Sequence, residues 1–168
     1  WPLTRMVEDT LEMVLLTLDK LKKYFEEPGK FLMIQAEEIT DRYNQYPIHV
    51  NATNVVEFIP PQGGNSTHDV LQRNIDAIYK QREEVGQVIL AHVNHPNFGW
   101  GIVAEDLIDL QGDPFFEVYN GHPRVGNYGD DAHPSTDRMW DIVLAMRLNQ
   151  GLNPIFCLAM DDTHGYYK

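Results

Sequence analysis

Cysteine is nearly absent from this chain. The one thiol, Cys157, excludes an intrachain disulfide. It lies in the apolar run PIFCLAM, where it reads as a small packed hydrophobe. Positive charge is also scarce: 13 Lys and Arg stand against 25 Asp and Glu, a formal net charge of −12 over 168 residues. That field repels a long polyanion, so extended nucleic acid is excluded as a partner. A small anion remains admissible if metal cations share its site. No apolar run approaches the ~20 residues of a membrane span, and no secretory leader is visible. The chain opens on Trp1 without a Met. The compartment therefore stays open between cytoplasmic and exported after leader removal, as does the oligomeric state. No internal repeat or low-complexity linker divides the chain, which reads as one domain over residues 1–168.

What is present is an alternation of helical and extended patterns. Leu11, Val14, Leu15, Leu18, Leu21 and Phe25 recur at helical spacing, which predicts a helix over residues 7–25 ending at Pro28-Gly29. KFLMIQAEEI reads as a strand, DRYNQY as a polar turn, and PIHVNATNVVEFI as extended segments. Ser66 or Thr67 caps a helix over residues 68–84, with Val70, Leu71, Ile75 and Ile78 on its apolar face. GQVILAHV is a strand, residues 104–110 a short helix, and PFFEVYN a strand. A Ser135-capped helix runs to Leu148, and NPIFCLAM is the last strand. Strands alternating with helices predict parallel strands joined by crossovers, with the functional residues at the carboxyl ends.

Four strands end in groups suited to metal ligation. They are Glu37-Glu38, Asn94-His95-Pro96, Asn120-Gly121-His122 and Asp161-Asp162-Thr163-His164. Convergence at one rim would bring Glu38, His95, His122, Asp162 and His164 together, and His49 can join them. Imidazole nitrogen and carboxylate oxygen suit zinc, manganese or iron. A carboxylate such as Glu38 can bridge two cations, and a two-metal site can clamp both oxygens of a phosphoryl displacement. His92 reads as simply buried, and His133, before Pro134-Ser135, as part of a helix-capping loop. The weight lies in the joint occurrence at strand ends, since each histidine alone is an ordinary loop residue.

Several segments resemble the PHP (polymerase and histidinol phosphatase) superfamily, above all its stand-alone metal-dependent phosphoesterase-like members. They are AEEITDRYNQYPIHV, NHPNFGW, EVYNGHPRVGNYGD with HPSTDRMWD, and MDDTH, and the resemblance runs over most of the chain from about residue 30. It implies an α/β fold, a distorted (β/α)7 barrel that is partial here, with two or three divalent metal ions at its carboxyl rim. The family's G-x-E matches Ala36-Glu37-Glu38, which assigns the bridging ligand to Glu38. Its following His matches His49, its His-Pro matches His95-Pro96, and its closing Asp-x-His matches Asp162 and His164. The family's opening strands, with His-x-His and then Asp-His, have no counterpart, so a longer native chain is expected.

The resulting expectation is a phosphoesterase acting on a small phosphorylated substrate by attack of a metal-bound hydroxide. Glu38 and His122 are its catalytic candidates. Glu38, His49, His95, Asp162 and His164 form the metal shell, and Asn97, Asn120 and His122 contact substrate. The rival expectation is a non-catalytic binding module with an incomplete metal site.

Overall fold

The computed structural model describes residues 4–112 and 114–164. They form two compact units, one reaching to Gln35 and the other starting at Ala36.

The first unit corrects the long opening helix. Strands β1 (Thr4–Val7) and β2 (Thr10–Met13) pair antiparallel, and helix α1 is confined to Leu18–Phe25. Glu8 takes a left-handed φ of 53° in the two-residue turn, and Arg5 pairs with Glu12 across the hairpin at 2.6 Å. The turn reverses the chain before a helix can form. Leu11 and Leu15, expected on a helix face, are exposed.

The second unit is a five-stranded mixed sheet backed by helices. Strands β3 (Ala36–Tyr43) and β4 (Tyr46–Thr53) form a hairpin, followed by helix α2 (Thr67–Val85) and strand β5 (Leu90–Val93). Helix α3 (Ala104–Ile108), strand β6 (Phe115–Asn120), helix α4 (Thr136–Asn149) and strand β7 (Phe156–Met160) complete it. The strand order is β3-β4-β5-β6-β7. Its two edges, β3 and β7, do not pair, so among the described residues the sheet is open, and the barrel expectation is overturned.

The all-parallel expectation also fails, for a local reason. Asn44, at φ 54°, makes a two-residue turn, which can only join antiparallel strands. The chain leaving β4 then runs back beside β3. Ile59 N–H donates to the Glu37 carboxylate at 2.8 Å, and Gly63 N–H donates to Asp41 at 2.8 Å. Helix α2 therefore starts near the hairpin turn and returns the chain to the far end, so β5 enters antiparallel to β4. Only β5, β6 and β7 are mutually parallel.

Alternation divides the sheet into two faces. Ile39, Ile48, Val50, Ala52, Val93 and Phe116 point toward the helices and pack with Val70, Leu71, Ile75, Ile78, Met139 and Val143. Helix α2 starts and stops as its sequence predicts. Ser66 Oγ accepts from Asp69 N–H at 3.1 Å, and Gly86 closes the helix at φ 62°. Buried Arg147, in the last turn of α4, donates to the carbonyls of Ile108, Leu110 and Asn153 at 2.6–2.8 Å. These bonds tie the end of α3 and the approach to β7 onto α4. The opposite face of the sheet carries Glu38, His49, Asn51, His92, Glu117 and Asn120, and that face holds the site.

Truncating Leu71 to Ala removes a fully buried side chain from the layer between α2 and the sheet. Stability should fall by about 2–5 kcal/mol, read from urea unfolding midpoints. A loss under about 0.5 kcal/mol would contradict this packing.

Candidate metal centre

The register of one hairpin begins the site. Glu38 stands opposite Asn51 and Thr40 opposite His49, so Glu38 and His49 are diagonal neighbours on the polar face. His49 Nδ1 lies 2.8 Å from Glu38 Oε1. Strand β5 adds the next row, with His92 opposite Asn51. Asn94, just past β5, continues the ladder by donating its N–H to the His49 carbonyl at 3.0 Å. Its side-chain amide reaches the same Glu38 oxygen at 2.6 Å and Asn51 Oδ1 at 3.3 Å.

The chain then turns sharply, and His95 takes a φ of 20° immediately before Pro96. This turn swings the imidazole over the hairpin, with Nε2 3.3 Å from Glu38 Oε1. The His49 and His95 rings meet edge to face with centroids 4.9 Å apart. The ligand atoms of Glu38, His49 and His95 all lie within 4.8 Å of one another, so this group can hold a metal ion. Two nitrogens and one carboxylate oxygen make a three-ligand set of the kind that leaves room for further ligands.

Asp162, at φ 46° after β7, places Oδ2 4.0 Å from His95 Nε2. His164 reaches the group only through Asp162: its Nδ1 is 3.3 Å from Asp162 Oδ1 and 2.9 Å from the Asp162 carbonyl. Its side chain is 67% exposed, against 7% for His95. The His122 ring stands 4.8 Å from that of His164 and 6.4 Å from that of Phe98. His122 Nδ1 accepts the Arg124 backbone N–H at 3.2 Å, so the proton of a neutral His122 sits on Nε2.

Beneath the group lies a buried polar layer that sequence reasoning did not nominate. Glu117, 1% exposed, accepts the His95 backbone N–H at 3.0 Å and the Asn120 amide at 2.8 Å. Its other oxygen lies 3.0 Å from His92 Nε2. Glu117 thereby stabilises the backbone turn that aims His95. Asn120 also accepts the His122 N–H at 2.8 Å, which fixes the loop after β6. Both of these Asn120 contacts are internal. Asn97 is likewise committed, with its amide donating to the carbonyls of Gly126 and Pro134 at 2.9 and 3.0 Å. His92 is buried as expected, and its Nε2 lies 3.0 Å from Glu117 Oε1 and 2.9 Å from Asn51 Nδ2, so it either donates to the carboxylate or accepts from the amide. His133 stacks on Trp100 with centroids 4.1 Å apart and bonds Asp130 at 2.8 Å. One signal could have found the buried layer: Asn51, His92 and Glu117 are polar residues at alternate positions of otherwise apolar strands.

The strand-end logic needs one correction. His95 and Asp162 do follow the carboxyl ends of the parallel strands β5 and β7, and Asn120 is the last residue of β6. Glu38 instead sits near the start of β3, and His49 lies in mid-β4. Both reach the group laterally across the sheet face.

The Glu38 carboxyl is held well below the usual carboxylate range. Hydrogen bonds from His49 and then His95 lower it, outweighing the opposing effect of its partial burial. Glu37, one residue away on the core side, is pushed up by burial despite the Ile59 N–H it accepts. Adjacent glutamates thus differ because alternation sends one toward the apolar layer and the other toward the imidazoles.

Compared with known proteins, the chain matches no family model, no curated protein and no solved structure. Among the described residues, no helix is long and apolar enough to cross a membrane.

The depressed Glu38 value carries a sign. Its contribution to the stability of the metal-free protein is complete above the ordinary carboxylate value of about 4.3. It is lost as pH falls through the lower folded value. The stability difference between wild type and Glu38→Gln should therefore narrow below about pH 4. Urea midpoints of both proteins across acid pH would show this, and a gap that widens with acidity would refute the description of Glu38 as a hydrogen-bonded carboxylate.

Proposed function

We propose that this protein is a divalent-metal-dependent hydrolase of small phosphate esters, centred on Glu38, His49 and His95. The observation that carries the reading is the convergence of one carboxylate and two imidazoles, drawn from β3, β4 and the turn after β5, within 4.8 Å. Asp162 adds a second acidic oxygen beside His95. The resemblance to the PHP superfamily supports the reading, since its matched positions are Glu38, His49, His95, Asp162 and His164. The nitrogen and oxygen donors suit zinc, manganese or iron. Such a cation, when bound, acidifies water and polarises a phosphoryl oxygen.

The chain's own residues set up that chemistry. Glu38 carries the anionic charge, and Asn94, itself tied to Asn51, fixes the carboxylate's orientation. Glu117 holds the His95 backbone, so that imidazole meets Glu38 without searching. His122, its Nδ1 engaged by the Arg124 N–H, presents an Nε2–H that can donate a hydrogen bond to a phosphoryl or leaving-group oxygen. His95, Trp100 and Asp162 each hold a positive φ. Backbone strain of this kind costs about 1–3 kcal/mol per residue, and here it falls in the loops that border the site.

The test is the purified chain loaded separately with manganese, zinc and ferrous iron and assayed against a panel of phosphate mono- and diesters. Turnover should vanish with chelator and return on adding metal. His95→Ala should lower kcat/KM by more than about 100-fold. Stoichiometric metal without turnover on any ester would instead identify a binding module. Turnover indifferent to chelator would refute the metal mechanism.

A further inference from the structure

Arg124 lies on the loop after β6, two residues beyond His122. Its guanidinium carbon stands 5.7 Å from the Phe98 ring centroid. That same phenyl ring lies 5.0 Å from the His95 ring, 6.2 Å from the His49 ring and 6.4 Å from the His122 ring. One aromatic ring therefore sits beside two of the metal-binding imidazoles and beneath an arginine. Arg124 is exposed, and no carboxylate among the described residues pairs with its guanidinium. That is notable in a chain with 25 acidic and 13 basic side chains. A guanidinium resting on a ring face keeps its in-plane N–H donors available, and their fork matches two oxygens of one phosphate.

We propose that Arg124, held over Phe98, is a specificity-determining residue that binds the non-bridging oxygens of a terminal phosphate and selects monoesters over diesters. A monoester presents three non-bridging oxygens, enough to serve the metal group and a bidentate arginine together. A diester presents two, so a bidentate arginine leaves no separate oxygen for the metal group and the two must share or one contact is lost. His122 contributes a neighbouring donor, because the Arg124 backbone N–H keeps the His122 proton on Nε2. This selectivity rests on the phosphoester reading, whereas capture of a phosphate by Arg124 can be measured without turnover.

Inorganic phosphate is the probe, with affinity measured by calorimetry on the whole chain, both manganese-loaded and chelated. Arg124→Ala should weaken phosphate binding by about tenfold or more, leave metal content unchanged, and raise KM for monoesters more than for diesters. Arg124→Lys should restore part of the phosphate affinity but little of the mono- over diester preference, because an ammonium lacks the fork. Phosphate affinity within about twofold of wild type in Arg124→Ala, or no phosphate binding by wild type, overturns the proposal. If that variant is indifferent to phosphate while metal-dependent turnover persists, the arginine assignment falls and the hydrolase reading stands. If Arg124-dependent phosphate binding survives chelation and no ester is turned over, the capture role stands and the hydrolase reading falls.

Discussion

One oxygen atom, Glu38 Oε1, is approached by His49 Nδ1 at 2.8 Å, Asn94 Nδ2 at 2.6 Å and His95 Nε2 at 3.3 Å. Three donors from two other segments meet on a carboxylate carried by the edge strand. The meeting depends on hairpin register. With Glu38 opposite Asn51, the diagonal brings His49 within bonding distance. Slipping β3 by one residue would turn Glu38 toward the apolar layer and put Glu37 or Ile39 on the polar face. The return segment guards that register, since Glu37 and Asp41, on the core side, are engaged by Ile59 and Gly63.

The two faces of the sheet divide the work. On one, helices α2 and α4 bury an aliphatic layer that makes the sheet a rigid platform. On the other, a polar group would be costly to bury unless every member found a partner. Most do: Glu117 collects His95, Asn120 and His92, while Asn94 joins Glu38 to Asn51. His92 Nδ1 alone, among the described buried side-chain atoms, lacks a hydrogen-bond partner. This network lets the turn at His95 persist with a positive φ, because Glu117 holds its backbone N–H from below.

Charge completes the arrangement. The chain is strongly acidic, yet three histidines and one arginine surround Phe98. Imidazoles place nitrogen atoms of ligating type there, and Arg124 supplies fixed positive charge near Phe98. The cationic Arg124 and the carboxylates of Glu38 and Asp162 thus lie near one another within a chain of strongly negative total charge.

Much of this was legible in the residues. Ser66 and Gly86 bound α2 on both sides and the apolar positions of α2 match its buried face, but of VILAHV only Leu90–Val93 is strand, and IFCLAM forms the edge strand β7 with Phe156 and Met160 exposed rather than a strand buried on both faces. Glu38, His49, His95 and Asp162 stand out as ligating types near strands, and the structure brings them together. The opening helix was misread because Leu11, Val14 and Leu15 fit a helical period, while a left-handed Glu8 and cross-strand pairing form a hairpin instead. Local pattern determined helices α2, α3 and α4 and the presence of the strands between them, and marked residues of ligating type, but Asp41–Tyr43 and Tyr46 of the segment read as a turn belong to β3 and β4. Strand direction, the open sheet and the buried support of Glu117 and Asn51 were decided only in three dimensions. They depend on a return segment tied to Glu37 and Asp41 and on pairings between residues far apart in the chain, and no local periodicity encodes such contacts.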